Sequence, residues 1–175
     1  MIDNTSLFFI IFNLSNHSPL LDFLMIFGAR YLIFVAFLLT FFLIFKGTIA
    51  EKKSFLLIIL ALPIAVLIIM GIHLFLYEPR PFVTYHLTPL YPYNPDASFP
   101  SRHASFMAAV AFAYAYFRSK WSALFIILML WVGISRVYVG VHYPLDILGG
   151  FIVGIISLMI VKQIVQFLKI KFSLG

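Results

Sequence analysis

The chain of 175 residues is 63% apolar and only 10% charged, and its mean hydropathy is +1.08. Soluble domains are close to half apolar and about a quarter charged, so this composition excludes an ordinary soluble enzyme and predicts an integral membrane protein. The net charge of +6 is divided among short segments instead of forming one basic stripe, which argues against a nucleic-acid partner. With no cysteine, the chain can form no disulfide and has no thiolate chemistry.

Five apolar runs are long enough to cross a hydrocarbon core of about 30 Å. We expect spanning helices near residues 20–45, 55–77, 101–117, 121–134 or somewhat beyond, and 145–165. The first apolar run, residues 5–15, is too short to cross, and we expect an interfacial or half-inserted helix there. The N-terminus lacks the basic region of a cleaved signal peptide. The sequence therefore predicts an all-α integral membrane protein, a single domain over residues 1–175 with five transmembrane helices and one short N-terminal helix.

Small residues predict where these helices approach each other closely. Gly150 and Gly154 are four residues apart in the last span, a spacing that lets transmembrane helices pack closely. The third span carries alanines at helical spacing, which are Ala104, Ala108, Ala111 and Ala115. We interpret both patterns as packing features and not as parts of a site.

The distribution of cations predicts the orientation of the bundle. One side would carry the loop at residues 46–54, the turn at 118–120 and the C-terminal tail, with Glu51 as its acid. The cations of that side are Lys46, Lys52, Lys53, Arg118, Lys120, Lys162, Lys169 and Lys171. Cytoplasmic loops are enriched in lysine and arginine, so this side is expected to face the cytoplasm. The polar loops 78–99 and 135–146 would then share the extracytoplasmic face.

The stretch from Ser135 to Asp146 has the densest chemistry in the chain. Arg136 offers a planar set of donors suited to phosphate oxygens, and His142 offers an imidazole that can act as nucleophile or base. Asp146, four residues further on, can accept a proton from the far ring nitrogen if the turn between them is helix-like. A solvated loop outside the membrane is the competing interpretation of this stretch.

Two further clusters fall on the same predicted face. Glu78 and Arg80 follow the second span, and Ser101, Arg102 and His103 stand where the third span begins. A helix start offers free backbone N–H groups and a positive dipole end to an anion. Each arginine alone would be interpreted as a headgroup anchor or a solvated charge. Together with two histidines they predict a phosphate pocket.

The residue types also predict a mechanism for phosphate transfer. His142 would attack phosphorus to give a phosphohistidine, Asp146 would stabilise the ring, and His103 would protonate the leaving group and then activate water. Arg80 and Arg136, with Ser101, would hold the phosphoryl oxygens. The sequence shows no ligand set with metal-binding spacing, so we expect no metal and no cofactor.

Three motifs carry a family resemblance. Arg80-Pro81, Pro100-Ser101-x-His103 and Ser135-Arg136-x5-His142-x3-Asp146 resemble, in order, the signature motifs of the type 2 phosphatidic acid phosphatase superfamily. The resemblance covers most of the chain from the second span onward. It implies a helical membrane phosphatase that needs no metal, with His142 as nucleophile and His103 as acid.

The chain departs from the family pattern at two positions. The first motif of the family has a lysine seven residues before its arginine, where this chain has His73. The second motif usually has glycine where this chain has Arg102. We hypothesise that Arg102, with or without Arg30 from the first span, supplies the missing positive charge. Arg30 as an anchor to outer headgroups is the alternative, since a charge within a span costs roughly 2.5–3.5 kcal/mol.

Other segments resemble one branch of the superfamily. The sequences Tyr-Glu-Pro-Arg-Pro-Phe-Val and Asp-Ala-Ser-Phe-Pro-Ser, and an N-terminal Asn-Leu-Ser-Asn-His-Ser-Pro, are similar to undecaprenyl-diphosphate phosphatases of the bacitracin-resistance type. This implies a bacterial cytoplasmic-membrane enzyme that acts on an isoprenoid lipid diphosphate at the outer leaflet. Glu78 would either orient Arg80 or face water, and Asp96 has no assigned role.

Two alternatives stay open at this stage. The substrate could be a glycerol lipid phosphate, either phosphatidylglycerol phosphate or phosphatidate, because the pocket residues do not separate a diphosphate from a monophosphate head. The chain could also be a non-catalytic phosphate-binding membrane protein or a transporter. The polar residues gather at one face instead of lining the spans, which argues against transport. The sequence does not address the oligomeric state.

Overall fold

The computed structural model describes residues 3–168, and every regular element within that range is a helix. The helices are α1 (Asn4–Phe12), α2 (Pro19–Arg30), α3 (Leu32–Lys46), α4 (Ile49–Phe75), α5 (Pro81–Thr84), α6 (Arg102–Tyr116), α7 (Ser122–Tyr138) and α8 (Pro144–Phe167). The predicted all-α class is confirmed for this part of the chain. Lys169 and Lys171, used above for the orientation, lie outside the described residues.

Helices α4 and α8 are long and apolar enough to cross a membrane. The bent pair α2–α3 adds a third candidate span when its two helices are counted together. These spans make the chain an integral membrane protein. Helix α6, with 15 residues, packs against both α4 and α8, and α7, with 17 residues, packs mainly against α6 and α2. Both are shorter than α4 and α8.

The predicted continuous helix over residues 20–45 is wrong in one respect. The chain bends by 55° between α2 and α3, and Tyr31 lies at the break. Arg30 is thereby the exposed last residue of α2, with its guanidinium carbon 5.3 Å from the centre of the Tyr31 ring. A charge inside a continuous apolar span is costly, and a helix end beside an aromatic ring is a better environment for it.

The predicted loop over residues 46–54 is also wrong, because α4 begins at Ile49. Thr48 caps the helix, and its backbone N–H donates to Glu51 Oε2 at 2.6 Å, forming a reciprocal capping box. The other carboxylate oxygen of Glu51 accepts a hydrogen bond from Ser119 Oγ, in the turn between α6 and α7. Glu51 is therefore a buried link between two helix ends and not a surface acid.

Helix α6 lies at the centre of the bundle and packs against α4, α7 and α8. The small residues predicted to permit close packing do so at the α6–α8 contact. A Cβ at Gly150 would lie 2.6 Å from Ser101 O, and a Cβ at Gly154 would lie 2.3 Å from Ser105 O. Backbone therefore touches backbone along this contact, which fixes the N-terminus of α6 against the first turns of α8.

The short N-terminal helix α1, for which an interfacial or half-inserted position is predicted, packs against α7 and α8. Phe8 is fully buried and its ring centre lies 5.6 Å from that of Tyr143. Asn4 Oδ1 accepts a hydrogen bond of 3.0 Å from the backbone N–H of Leu145. Helix α1 therefore packs on the connection between α7 and α8 and stabilises it.

Candidate active site

His142 lies in a short connection between α7 and α8. The predicted loop over residues 135–146 is wrong at both ends, because Arg136 belongs to the last turn of α7 and Asp146 to the first turn of α8. Gly140 has a φ of +88°, a conformation that glycine adopts without strain. Arg136, His142 and Asp146 are at most 1% exposed. The alternative interpretation, a solvated loop, is therefore wrong.

The imidazole of His142 is held by a carboxylate and a serine. His142 Nδ1 lies 3.2 Å from Asp146 Oδ2, as the spacing of four residues predicted. The same carboxylate oxygen accepts hydrogen bonds from Ser98 Oγ at 2.5 Å and from the backbone N–H of Tyr143 at 2.8 Å. These contacts orient Asp146 toward Nδ1 and leave Nε2 as the ring nitrogen that the carboxylate does not contact.

Arg80 faces that nitrogen from the loop before α5. Its Nη1 is 3.0 Å from His142 Nε2 and also donates to the carbonyl oxygen of Val141 at 2.7 Å. Its Nε donates to Asp96 Oδ1 at 2.8 Å, and the side chain is 2% exposed. Arg80 is thus a buried, fixed cation beside the histidine.

Arg136 is equally buried, but within residues 3–168 no carboxylate contacts it. Its Nη1 donates to the carbonyl oxygen of Ala29 at 3.1 Å and to the hydroxyl of Tyr91 at 2.6 Å. Its Nε and Nη2 have no hydrogen-bond partner in the part of the chain that the structure describes. Two donors of a buried guanidinium are therefore free for an anion, which fits the phosphate-binding role predicted for this residue.

The three polar residues of the motif at the start of α6 lie in different environments. Ser101 is fully buried and caps the helix, with Oγ accepting from the backbone N–H of Ala104 at 3.5 Å. Arg102 is exposed and forms an ion pair with Asp96, the carboxylate that also holds Arg80. His103 is half-buried in the first turn. The motif therefore places one exposed cation and one half-buried imidazole beside the buried residues of the site.

The surroundings of His142 favour its neutral form. Burial, the charges of Arg136 and Arg80, and then His103 lower the pKa of His142 well below its ordinary value of 6.5. Only the neutral ring has a free lone pair for attack on phosphorus. Because the charge of His103 is among the causes of this shift, the two imidazoles lie on the same side of the bundle and near each other.

The three accessory residues differ in their relation to the site. Glu78 does not orient Arg80, because the carboxylate on that arginine is Asp96. Arg30 is connected to the site through Tyr91, because its guanidinium carbon lies 5.8 Å from the centre of the Tyr91 ring. His73 lies in the last turn of α4, where its Nε2 is buried without a hydrogen-bond partner and bonds to none of the site residues.

The motif spacing does not predict residues that contact the site from distant positions in the chain. Ser98 and Tyr91 contact Asp146 and Arg136 from the loop before α6, and Tyr93 lies under two guanidinium groups. Asp96 had been noticed without a role. The alternation in Tyr91-Pro92-Tyr93, within a loop flanked by arginine motifs, was the available signal.

Among residues 3–168, no group of three or more histidine, aspartate or glutamate side chains is placed to hold a metal.

A helical membrane bundle with a buried histidine–carboxylate pair and converging arginines defines the class of integral-membrane phosphatases. The chain belongs to the PAP2 superfamily, whose family model matches residues 55–170. The family resemblance found in the motifs is thereby confirmed.

Named relatives are similar over most of the chain. Undecaprenyl-diphosphatase BcrC of Bacillus subtilis (strain 168) is 36% identical over 171 residues, which are 97% of this chain and 84% of the relative. Putative undecaprenyl-diphosphatase YbjG of Escherichia coli (strain K12) is 36% identical and covers 93% of this chain and 83% of its own length. The crystal structure of Aquifex aeolicus LpxE superposes with a TM-score of 0.73 at 28% identity, covering 91% of this chain and 94% of that one.

Proposed function

We propose that the chain hydrolyses undecaprenyl diphosphate to undecaprenyl phosphate and phosphate, through a phosphohistidine on His142. The observation that carries this proposal is the buried contact of His142 with Asp146 on one ring nitrogen and Arg80 on the other. Similarity to two relatives named as undecaprenyl-diphosphatases, along most of their lengths, supports the choice of substrate.

In the first step, Nε2 of His142 attacks the terminal phosphorus, and the bond from that phosphorus to the lipid phosphate breaks. Asp146 holds the Nδ1 proton, so the cationic ring that forms is paired with a buried carboxylate. Ser98 and the backbone N–H of Tyr143 keep that carboxylate in position. The lipid phosphate leaves with a proton from His103.

In the second step, His103 takes a proton from water, and the hydroxide attacks the phosphohistidine. The nitrogen–phosphorus bond breaks, phosphate is released and His142 returns to its neutral form. The anionic substrate, placed among three arginines, favours protonation of His103 before the first step, because it offsets the positive charges nearby. One imidazole can then act in turn as acid and base.

Arg80 and Arg136 neutralise the equatorial oxygens of the transferred phosphoryl group. Charge spreads over those oxygens in the transition state, and fixed donors in a site shielded from water stabilise it strongly. The two free donors of Arg136 suit this role, and Ser101 supports it by capping the helix whose N-terminus faces the site. With guanidinium groups in this role, the reaction needs no metal.

Arg102 takes the place of the lysine that the family pattern has seven residues before Arg80. It is exposed beside the site, and Asp96 couples it to Arg80. Arg30 reaches the site only through Tyr91, so its contribution is the smaller one. His73 occupies the lysine position without a bond to the other site residues.

For the whole chain, we propose five membrane spans in one domain, with α6 and α7 as the two short crossings and the bent pair α2–α3 as one. The connection between α7 and α8 then lies on the extracytoplasmic face of a bacterial cytoplasmic membrane. The lysines near the start of α4 and in the α6–α7 turn support this orientation.

The test is phosphate release by the purified chain from undecaprenyl diphosphate and, in parallel, from phosphatidylglycerol phosphate, with EDTA present. We expect turnover of the diphosphate in EDTA, higher kcat/KM for it than for the glycerol lipid, and none with His142→Ala. A higher kcat/KM for phosphatidylglycerol phosphate would show that the glycerol lipid, and not the diphosphate, is the preferred substrate. Full activity of His142→Ala would remove the proposed mechanism, whereas no hydrolysis of either lipid by the wild type would favour a phosphate-binding or transport role.

A further inference from the structure

Two buried arginines of the site share one aromatic ring. The guanidinium carbon of Arg80 lies 4.5 Å from the centre of the Tyr93 ring, and that of Arg136 lies 4.6 Å from it. A cation within about 6 Å of a ring centre is attracted by the negative face of the ring. We propose that Tyr93 is a positioning residue, which holds the two guanidinium groups where one phosphoryl group can meet both.

The need for such a residue follows from the charges. Arg80 and Arg136 are at most 2% exposed, and like charges without water between them repel strongly. Burial and the charge of Arg136 both lower the pKa of Arg80, which reports this repulsion. Asp96 offsets one of the two charges, but the hydrogen-bond partners of Arg136 are neutral. Within residues 3–168, Tyr93 is the only aromatic ring that both guanidinium groups contact.

The local sequence explains how the ring reaches this place. Proline fixes its own φ and disfavours helical backbone at the residue before it, so Tyr91-Pro92-Tyr93 is held out of a helix. The backbone N–H of Leu90 donates to the carbonyl oxygen of Val139 at 3.1 Å, which attaches this segment to the connection that carries His142. The Tyr91 and Tyr93 rings meet edge to face, with centres 5.9 Å apart.

Aromatic rings and cations therefore alternate from the α2–α3 break to the histidine. Arg30 lies over the Tyr91 ring, and the Tyr91 hydroxyl binds Arg136. Arg136 and Arg80 both lie over Tyr93, and Arg80 contacts His142. The arrangement keeps several cations together before an anion arrives. This role rests on the proposed function, since the anion is taken to be a phosphoryl group.

The experiment measures binding of orthovanadate, a phosphate analogue, to the full chain by calorimetry, and kcat and KM for undecaprenyl diphosphate. Tyr93→Phe keeps the ring and should bind vanadate like the wild type. Tyr93→Leu should bind about tenfold more weakly and raise KM by a similar factor, with a smaller effect on kcat. Tyr116→Leu is the control, because that ring lies under Lys162 and outside the site.

A series of fluorinated phenylalanines at position 93 separates charge from packing. Fluorine withdraws electron density from the ring face while changing its size little, so affinity for vanadate should fall step by step with fluorine number. Equal affinity across the series would overturn the proposal and leave Tyr93 a packing role. Vanadate binding needs no turnover, so a wild type that binds it without hydrolysing the diphosphate refutes the proposed function alone. A wild type that neither binds vanadate nor hydrolyses the diphosphate refutes both.

Discussion

His142 owes its chemistry to residues that surround it without taking part in bond formation. Asp146 and Ser98 fix one ring nitrogen, and burial with Arg80 and Arg136 keeps the ring neutral. The motif spacing predicted the pair of His142 and Asp146, because residues four apart meet at the start of a helix. It could not predict Ser98, which is 48 positions from Asp146 along the chain and meets it only in the folded bundle.

The pH dependence of kcat/KM tests the lowered pKa of His142. Attack needs the neutral ring, so activity is lost as pH falls through that pKa, and the acid limb should lie below 6.5. Arg136→Gln removes a positive neighbour, so the pKa of His142 should rise and the acid limb should move to higher pH. Ionisation of the substrate is common to both profiles and cancels in the comparison. An unmoved or downward-shifted limb would contradict this assignment.

Ser98→Ala tests the support of the carboxylate. The substitution removes one of the two hydrogen bonds that Asp146 Oδ2 accepts from groups other than His142, so kcat should fall about tenfold or more while KM changes less. Ser105→Ala is the matched control, because Ser105 is equally buried and bonds only the Ser101 carbonyl oxygen in its own helix. Equal kcat in the two variants would show that Ser98 has no role in the chemistry.

At the scale of elements, a helix end could be predicted where the sequence has a recognisable capping residue. Ser101 was predicted at the start of α6 and caps it. The start of α4 was placed too late, because the capping box of Thr48 and Glu51 allows charged residues inside the first turns. The bend at Tyr31 was missed, because Arg30 interrupts the apolar run there but no proline marks a break in the helix.

Gly154→Ala tests the contact between α6 and α8. A Cβ at this position would lie 2.3 Å from Ser105 O, so the helices must separate, at a cost of about 1–3 kcal/mol. Thermal unfolding in detergent should therefore occur at a lower temperature. Gly71→Ala is the matched control, because a Cβ there meets nothing within 4 Å and alanine favours a helix. Equal unfolding temperatures for both variants would contradict the close backbone contact.

At the scale of the whole molecule, the family and the helical class followed from composition and three motifs, whereas the packing that buries the site did not. Hydropathy marks a span only by length and apolarity, so it cannot show that α2 and α3 bend or that α6 and α7 are short. From the sequence, the membrane face on which the site lies is predicted by the distribution of charge alone.

Cysteine labelling tests that orientation, and the natural absence of cysteine makes the parent chain the control. Thr88 lies in the exposed loop before α6, and Lys120 lies in the exposed turn before α7. A membrane-impermeant maleimide added to intact cells should label Thr88→Cys, and should label Lys120→Cys only after the membrane is opened. The reverse pattern would place the site on the cytoplasmic face.

Trapping of the covalent intermediate tests the central claim most directly. His103→Gln should slow the second step more than the first, because a lipid phosphate is a good leaving group whereas water needs a base. With undecaprenyl diphosphate labelled in its terminal phosphate, this variant should accumulate an acid-labile, base-stable phosphohistidine at His142. The double variant with His142→Gln should carry none. Label that persists without His142, or turnover with no labelled protein at any time, would contradict a phosphohistidine at this residue.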